Sequence, residues 1–438
     1  NIHYFIKKSM IQLIENKTKQ EDFKRYKKLT PKLYQQCLSF SRRLKGKKII
    51  HISSTPEGGG VAELLKSQIP LEKSLGLDSK WFYVKAPKRF FEITKEIHNR
   101  LQGRQGSLTE KEKDFYFKRN NLLTISLKKI LEKQRPDIII IHDPQPLPLI
   151  KFLYKKIPAV LRIHIDLSFP CAKTLGMLKE DILKYNLVVL TDKKYKPNWL
   201  PKNKTFLSMP AINPFTEKNR SMAKRKTGQI LEKYGIDINK PIVSQVSRFD
   251  PWKDQISTIK AYRTAKKKIF RLQLILVGFL ETLDDPESLR MYQKIKKYSD
   301  NDPDIFIFSD LKQIKKSSDD PLINAVYANS DIVIQKSTRE GFGIVVTEAM
   351  WKSKPVIGGK RTGIRLQIKN GKNGFLISSA EEISDLIIKL MEDKNLRKKI
   401  GASAHKTIKE KFLMPRLILD FLKIYKKIPR VSSGSKIG

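Results

Sequence analysis

The chain has 438 residues, and its 88 lysines and arginines against 44 acidic residues give a formal net charge of +44. Hydrophobic residues make up 40% of the chain, which is enough for packed cores and argues against intrinsic disorder. No apolar run approaches the roughly 20 residues of a membrane-spanning helix, and the two cysteines lack the spacing of a metal or disulfide framework. The composition therefore excludes a membrane span and a disulfide scaffold, and predicts a cytoplasmic protein of two or three domains.

The basic residues are distributed along the chain rather than gathered in an arm that alternates with aromatic residues. We interpret them as a solvated, lysine-rich surface. The alternative is a protein that binds nucleic acid or an anionic membrane surface through its charge.

The first half of the chain alternates between short apolar runs and helical periodicity. Residues 1–46 are polar and predict a helical extension, with periodic apolar residues at Phe5, Met10, Leu13 and Ile14. Strands are predicted at 47–53, 81–84, 137–141, 160–165 and 187–190, and helices at 61–75 and 122–134. Strand, glycine turn and helix in this order are typical of a doubly wound α/β domain.

A polar segment at 213–228 breaks this pattern and predicts a linker. A second series of strands follows at 241–247, 272–277, 305–308, 332–334 and 355–357, and helices are predicted at 381–392 and 395–426. The fold class is therefore α/β, with two parallel-sheet domains facing each other across a cleft. We place the extension at 1–46, the two domains at 47–215 and 216–405, and a final helix at 406–430 that packs back on the first domain.

The most informative motif is the segment from Arg339 to Met350. Glu340 follows a predicted strand, where open α/β sheets bind ligands, and a helix begins a few residues later. Gly341 and Gly343 allow backbone N–H groups to approach an anion at the positive end of that helix. Glu348 can accept hydrogen bonds from a ribose diol. The alternative, purely structural interpretation is that this segment is the start of a helix, where acidic residues are common.

A second motif places Arg248 and Lys253 after the strand that ends at Ser247. Arg248 offers a planar fork for phosphate, and Lys253 adds a compact charge. Together they can neutralise a diphosphate leaving group. The alternative interpretation is that Arg248 and Lys253 are ordinary surface residues, which are common in so basic a chain.

Three loops of the first half follow predicted strands. Gly58-Gly59-Gly60 does not match the G-x-G-x-x-G fingerprint of dinucleotide-binding sites. The alternative to a functional role is a glycine turn that permits tight packing of the strand against the helix. Asp143 and His164 lie in loops after two other strands. Because the carboxyl ends of parallel strands share one edge, these loops predict a site there.

These segments resemble the retaining glycosyltransferases of family 4, and within it the trehalose glycosyltransferring synthases and trehalose phosphorylases. The resemblance covers about residues 47–425 and is carried by STPEGGGVAELL (54–65), FFEITKEIHNRLQG (90–103), HDPQP (142–146), RIHIDLS (162–168), VSRFDPWK (246–253) and REGFGIVVTEAMWKSKPVIG (339–358). It implies the GT-B fold, two Rossmann-like domains facing across a cleft. The first 46 residues and the basic charge are not part of the resemblance.

The resemblance also implies roles for the residues of the second domain. Arg248 and Lys253 bind the diphosphate, Glu348 the ribose and Glu340 the donor glucose. Phosphate or sugar is supported by backbone amides at Gly341, Phe342 and Gly343.

In the first domain, the resemblance implies that Asp143 and His164 contact the glucosyl ring near the reacting carbon. Gly59 and Gly60 meet the phosphate. The acceptor glucose rests near Glu63 or Asp166.

The function that follows is retaining glucosyl transfer from a nucleoside-diphosphate glucose, such as UDP-glucose or ADP-glucose, to glucose, giving α,α-trehalose reversibly. The alternatives are phosphorolysis of trehalose, another family-4 transfer including one to a lipid-linked or polymeric acceptor, and a basic binding protein built on a transferase fold. We expect no cofactor, no metal, no specific nucleic acid and no membrane span. The assemblies open to the chain include a homodimer.

Overall fold

The computed structural model describes residues 11–57, 59–278, 286–310, 320–360 and 363–428. The chain forms two compact units. The first comprises the described residues up to Pro210 together with those from Met414 onward, and the second is Ala211–Leu413. No helix among the described residues is long and apolar enough to cross a membrane.

The first unit is built on a sheet of seven strands within the described residues, in the order β1-β3-β2-β4-β5-β6-β7. The strands are β1 (Gln12–Glu15), β2 (Lys48–Ser53), β3 (Asp78–Lys85), β4 (Ile138–His142), β5 (Ala159–Arg162), β6 (Leu187–Leu190) and β7 (Thr205–Leu207). β1 pairs antiparallel with β3, and the other pairs are parallel. The four isoleucines of β4 are fully buried, as expected for a central parallel strand covered on both faces.

The helices of this unit pack on the sheet through periodic apolar faces. They are α1 (Pro31–Arg42), α2 (Gly60–Ser74), α3 (Lys88–Leu101), α4 (Glu110–Gln134), α5 (Ile150–Leu153) and α6 (Ala172–Lys184). α4 begins in a capping box, in which Thr109 and Glu112 bond each other's backbone N–H groups. Its buried residues, including Leu123, Leu127 and Leu131, recur at helical spacing and join the core.

The second unit has six parallel strands within the described residues, in the order β10-β9-β8-β11-β12-β13. They are β8 (Ile242–Val246), β9 (Gln273–Val277), β10 (Ile305–Phe308), β11 (Ile332–Gln335), β12 (Val356–Gly359) and β13 (Phe375–Ile377). The helices are α7 (Lys224–Glu232), α8 (Gln255–Lys266), α9 (Pro286–Ser299), α10 (Asp320–Asn329), α11 (Ile344–Trp351), α12 (Ala380–Glu392) and α13 (Lys394–Lys411). The strand order reverses between β8 and β11, the point at which open α/β sheets bind ligands.

The last helix, α14 (Met414–Lys427), belongs to the first unit. Its first turn meets α1, where the Cys37 thiol donates to the carbonyl of Pro415 (3.2 Å). Its last turn reaches the start of β2, where Lys47 Nζ donates to the carbonyl of Tyr425 (2.8 Å). The last described helix therefore packs on the unit formed by the first part of the chain.

Three sequence-based expectations are corrected. The extension is not helical throughout, because Gln12–Glu15 is a strand with the alternating burial of a sheet edge; Phe5 and Met10 lie outside the described residues. The single helix expected at 395–426 is two helices separated at Phe412 and Leu413, both buried. The linker expected at 213–228 overlaps α7, and β7 and β13 were not predicted. The structure divides into its two units at Pro210 and Met414, and the sequence analysis placed the boundaries at 215 and 406.

Candidate active site

In the second unit, Arg248 and Lys253 occupy the loop between β8 and α8. Asp250 shapes this loop by accepting a hydrogen bond from the Trp252 backbone N–H (3.0 Å). Arg248 is largely exposed, 45% of its side chain being accessible, and forms an ion pair with Asp250 (3.4 Å). Lys253 is only 15% exposed. The loop therefore presents one solvated and one half-buried cation.

Two buried glutamines fix the backbone of this loop. Gln245 on β8 donates to the carbonyl of Lys253 (2.8 Å). Gln255, the first residue of α8, donates to the carbonyl of Arg248 (2.9 Å). Each glutamine is 1% exposed, so buried side chains hold the backbone of the loop at both Arg248 and Lys253. The sequence analysis missed both glutamines, whose signal was a polar residue in an apolar strand and at a helix start.

The second motif forms the loop between β11 and α11. Gly343 precedes α11 with φ of 81°, a backbone conformation that favours glycine. Gly363 approaches so closely that a Cβ there would lie 2.4 Å from the carbonyl oxygen of Gly341. Gln367 donates to the carbonyls of Phe342 (2.7 Å) and Gly343 (3.0 Å), which holds the loop against the unit.

The two loops meet because β8 and β11 are neighbouring parallel strands. Lys253 Nζ donates to Oε2 of Glu340, and the two form an ion pair. Ser337 Oγ lies 3.5 Å from the same oxygen. The motifs that sequence analysis found separately thus share one contact.

Glu348 lies on α11 and is 3% exposed. One of its carboxylate oxygens lies 3.2 Å from Lys218 Nζ, and the other accepts a hydrogen bond from Tyr327 OH (3.4 Å). Lys218 precedes the first helix of the unit and was not a predicted site residue. The Glu348 carboxylate is therefore buried beside a cation, which can balance its charge.

In the first unit, Gly59 and Gly60 begin α2 after β2. A Cβ added at either position would meet no described atom within 4 Å, although φ of 89° at Gly59 favours glycine. Tight strand–helix packing is therefore not the reason for these glycines. Gly58 lies outside the described residues.

Asp143 and His164 come together at the ends of the neighbouring strands β4 and β5. The His164 backbone N–H donates to Oδ1 of Asp143 (2.7 Å), and the Asp143 N–H donates to the carbonyl of Arg162 (2.9 Å). Asp143 adopts a left-handed backbone conformation with φ of 63°, a sparsely populated region typical of functional sites. Burial raises the pKa of Asp143 to about 7, against the opposing effects of the His164 hydrogen bond and the Arg162 charge.

The structure gives the two predicted acceptor residues different surroundings. Asp166 is 4% exposed and accepts hydrogen bonds from the N–H and hydroxyl of Ser168 (2.8 and 2.5 Å), so it organises its own loop. Glu63 is 37% exposed and forms an ion pair with Lys66 (3.6 Å).

Behind His164 lies a buried polar line that sequence analysis missed. His142 and His51 continue from His164 in hydrogen-bonding contact, and Glu72 on α2 lies at the far end. His51 and His142 are single polar residues in apolar strands, and Glu72 is one of several polar residues in its helix, so the sequence does not indicate that the three form a network.

Comparison with known proteins decides the family. Residues 51–197 match the family described as "Trehalose synthase, N-terminal domain", and residues 227–407 match "Glycosyl transferases group 1". The trehalose synthase of Pyrococcus horikoshii is 38% identical over 88% of this chain and 91% of its own. This chain belongs to the trehalose synthase family.

More distant similarities agree with that family. A trehalose phosphorylase of Pleurotus pulmonarius is 30% identical over 82% of this chain and 54% of its own. The solved structure of a UDP-forming α,α-trehalose-phosphate synthase from Burkholderia xenovorans superposes with a TM-score of 0.68 at 15% identity, over 87% of this chain and 99% of that one. The predicted GT-B fold class and the family resemblance are confirmed, and the chain is a glycosyltransferase of the trehalose synthase family.

Proposed function

We propose that this chain is a retaining glucosyltransferase that makes α,α-trehalose from a nucleoside-diphosphate glucose and glucose, in a reversible reaction. The contact between Lys253 and Glu340 carries the proposal, because it joins a phosphate-binding cation to a carboxylate suited to sugar hydroxyls. Membership of the trehalose synthase family supports the choice of product.

In the second unit we assign the diphosphate to Arg248 and Lys253, and the ribose diol to Glu348. Glu340 would hold the donor glucose. The backbone N–H groups from Gly341 to Gly343 would support phosphate or sugar at the start of α11. The base is left open between uracil, adenine and guanine.

In the first unit we assign contact with the glucosyl ring to Asp143 and His164. Gly59 and Gly60 would allow a phosphate to approach the backbone, since no described atom would meet a side chain there. The exposed carboxylate of Glu63 fits the acceptor glucose better than Asp166, whose oxygen is engaged by Ser168.

The proposed reaction proceeds by attack on the same face of the sugar. The bond from C1 to the diphosphate oxygen breaks, the bond from C1 to the acceptor oxygen forms, and the acceptor proton passes to the leaving phosphate oxygen. One well-placed donor to the developing charge stabilises such a transition state by about 3–4 kcal/mol. The proposal assigns this role to Arg248 and Lys253 rather than to a metal, so EDTA should leave the rate unchanged.

Glu340 is not a covalent nucleophile in this scheme. Its carboxylate is paired with Lys253 in the free protein, and in the substrate complex it would accept hydrogen bonds from sugar hydroxyls, so its oxygens are engaged in both states. Mass spectrometry of the protein quenched during turnover should therefore detect no glucosyl ester at Glu340.

Phosphorolysis of trehalose is the second candidate, since phosphate could bind the same cations. The similarity to the Pleurotus phosphorylase favours it, although this chain spans only 54% of that protein. Glu348 favours a nucleotide donor over phosphate. Inorganic phosphate carries no ribose, so it would leave this buried carboxylate without the ligand proposed for it.

One experiment separates the two. The protein is incubated with glucose and UDP-, ADP- or GDP-glucose, and in parallel with trehalose and phosphate, and the products are identified by NMR. We expect α,α-trehalose from at least one nucleotide donor. Turnover with phosphate alone would establish the phosphorylase instead.

A further inference from the structure

Three histidine rings form a line through the first unit that ends at a buried carboxylate. His142 Nδ1 lies 3.0 Å from His164 Nε2, and His51 Nδ1 lies 3.0 Å from His142 Nε2. At the inner end, His51 Nε2 lies 3.3 Å from Oε2 of Glu72. His51, His142 and Glu72 are 0% exposed, whereas His164 is partly exposed. The line therefore connects the protein interior to a predicted sugar-contacting residue.

The sheet places these rings in series. β2 pairs with β4, and β4 pairs with β5, all in parallel, so His51 and His142 and the loop that carries His164 follow one another across the sheet. The ring centroids of successive histidines are 5.3 Å apart in both pairs. The nitrogens meet pairwise, which makes the line a hydrogen-bonded relay.

The relay couples the proton positions of the three rings. A hydrogen bond between two imidazoles needs one protonated nitrogen and one bare nitrogen, and a neutral ring has one of each. The nitrogen that carries the proton on His51 therefore decides the tautomer of His142, and through it that of His164.

Glu72 determines the tautomer of His51. The carboxylate accepts hydrogen bonds from Gln68 Nε2 (2.8 Å), Ser79 Oγ (2.7 Å) and Tyr425 OH (2.7 Å). Because Tyr425 gives its proton to Glu72, its oxygen is an acceptor, and it lies 3.2 Å from His51 Nε2. Two acceptors thus converge on His51 Nε2, which must carry the proton.

When all three rings are neutral, the remaining protons follow in order. His51 Nδ1 accepts from His142 Nε2–H, and His142 Nδ1 accepts from His164 Nε2–H. His164 is left with a bare Nδ1, for which the described part of the chain supplies no partner.

Burial and neighbouring charges favour neutral rings at His142 and His164. Burial, the adjacent histidines and Arg162 lower the pKa of His142, and burial and Arg162 lower the pKa of His164. Arg162 is fully buried, and its Nε and Nη1 have no hydrogen-bond partner among the described residues. A second positive charge on the line is therefore unfavourable. The other charged or titratable groups near it are Asp143, at the His164 backbone, Lys47 and Tyr425, at the His51 end, and Asp420 and Arg416, which act on Arg162.

We propose that Glu72 is a positioning residue, which acts through His51 and His142 to hold His164 with Nε2 protonated and Nδ1 ready to accept a hydrogen bond from a sugar hydroxyl. The sugar contact rests on the proposed function. Without the relay, an imidazole would exchange its proton between the two nitrogens and would present a donor in part of the population.

The tautomers can be read directly by ¹⁵N NMR on the full chain labelled at its six histidines. The ¹⁵N chemical shift of each ring nitrogen depends on whether that nitrogen carries a proton. In the wild type we expect His51, His142 and His164 all as the Nε2–H tautomer. In Glu72→Gln, the side-chain amide can turn either its oxygen or its NH₂ to His51, so the second tautomer should appear at all three rings. kcat/KM should fall about tenfold, as for one lost hydrogen bond.

Asp181→Asn is the matched control, since Asp181 is a buried carboxylate of the same unit outside the relay. It should leave the three histidine signals as in the wild type. Finding His142 as Nδ1–H in the wild type would overturn the relay, even if Glu72→Gln did not fold. So would a Glu72→Gln spectrum in which His51 changes and His164 does not. Expected tautomers without any trehalose formation would overturn the proposed function and the sugar contact, and leave the relay established.

Discussion

Lys253 donates to the carboxylate of Glu340, 87 residues later in the chain, and so joins the loops after β8 and β11. Both side chains are mostly buried, at 15% and 17% exposure, so the pair is only weakly screened by solvent. A bound diphosphate and Glu340 would compete for the same ammonium group. Substrate binding in the proposed site therefore exchanges partners: phosphate takes Lys253, and sugar hydroxyls take Glu340.

Replacing Lys253 should weaken catalysis, because the proposed function assigns its ammonium group to the leaving diphosphate. Lys253→Met keeps the stem but removes the ammonium group, and we expect kcat/KM for the nucleotide donor to fall about 100-fold, as when one donor to a developing charge is lost. Lys240→Met is the control, because Lys240 is also paired with a carboxylate of the second unit, Asp304 (3.3 Å). Steady-state kinetics with varied donor should show no comparable loss in the control; equal losses would refute the role of Lys253.

Gln255 should matter for donor binding although it points away from solvent. It holds the Arg248 carbonyl, so Gln255→Met should release the loop and raise the donor KM about tenfold, the effect of one buried hydrogen bond. Gln273→Met is matched in burial at 1% exposure, and its amide donates to the carbonyl of Asp237 instead (2.7 Å). Both variants should lose similar thermal stability. Only Gln255→Met should alter the donor KM, and a similar KM change in both would show a general effect of destabilisation.

Glu348→Gln tests the ribose assignment. The amide keeps the shape but replaces one acceptor oxygen with a donor beside Lys218, so the donor KM should rise about 10- to 100-fold. The KM for glucose serves as the internal control and should stay unchanged. Tyr327→Phe, which removes the long 3.4 Å contact to Glu348, should have a smaller effect. An unchanged donor KM in Glu348→Gln would place the ribose elsewhere.

The sequence predicted the sheets well because buried parallel strands are nearly continuous apolar runs, as in Ile138–His142. It failed at Gln12–Glu15, a short edge strand whose pairing partner, β3, lies far away in sequence. It also missed the break at Phe412, since two apolar residues between helices do not interrupt helical periodicity.

The two candidate site motifs of the second unit were visible for a related reason. Glycines and charged residues directly after an apolar strand mark the ligand-binding edge of a parallel sheet. Gln245, Gln255 and Glu72 carry no such mark. Their importance comes from contacts with residues on other elements, which only the folded chain brings together.

Asp143 should make stability depend on pH. Burial raises its pKa to about 7 from an ordinary value of 3.8, so the folded state holds a proton that the unfolded chain has released between those values. The contribution of Asp143 to the free energy of unfolding is therefore greatest below about pH 4 and falls as the pH rises towards 7. Urea denaturation of wild type and Asp143→Asn across this range should give a difference that shifts steadily in favour of the variant with rising pH. A constant difference would contradict the raised pKa.

The net charge of +44 should appear in the kinetics as attraction of the anionic donor. Raising the ionic strength shortens the Debye length from about 30 Å at 0.01 M to about 8 Å at 0.15 M, which screens such attraction. The KM for the nucleotide donor should therefore rise with NaCl, while the KM for glucose, which is neutral, should stay constant. Potassium chloride should act as sodium chloride does, because screening depends on ionic strength and not on the cation. A donor KM that does not respond to salt would mean that the basic surface plays no part in substrate capture, and that only the cations at the site act on the donor.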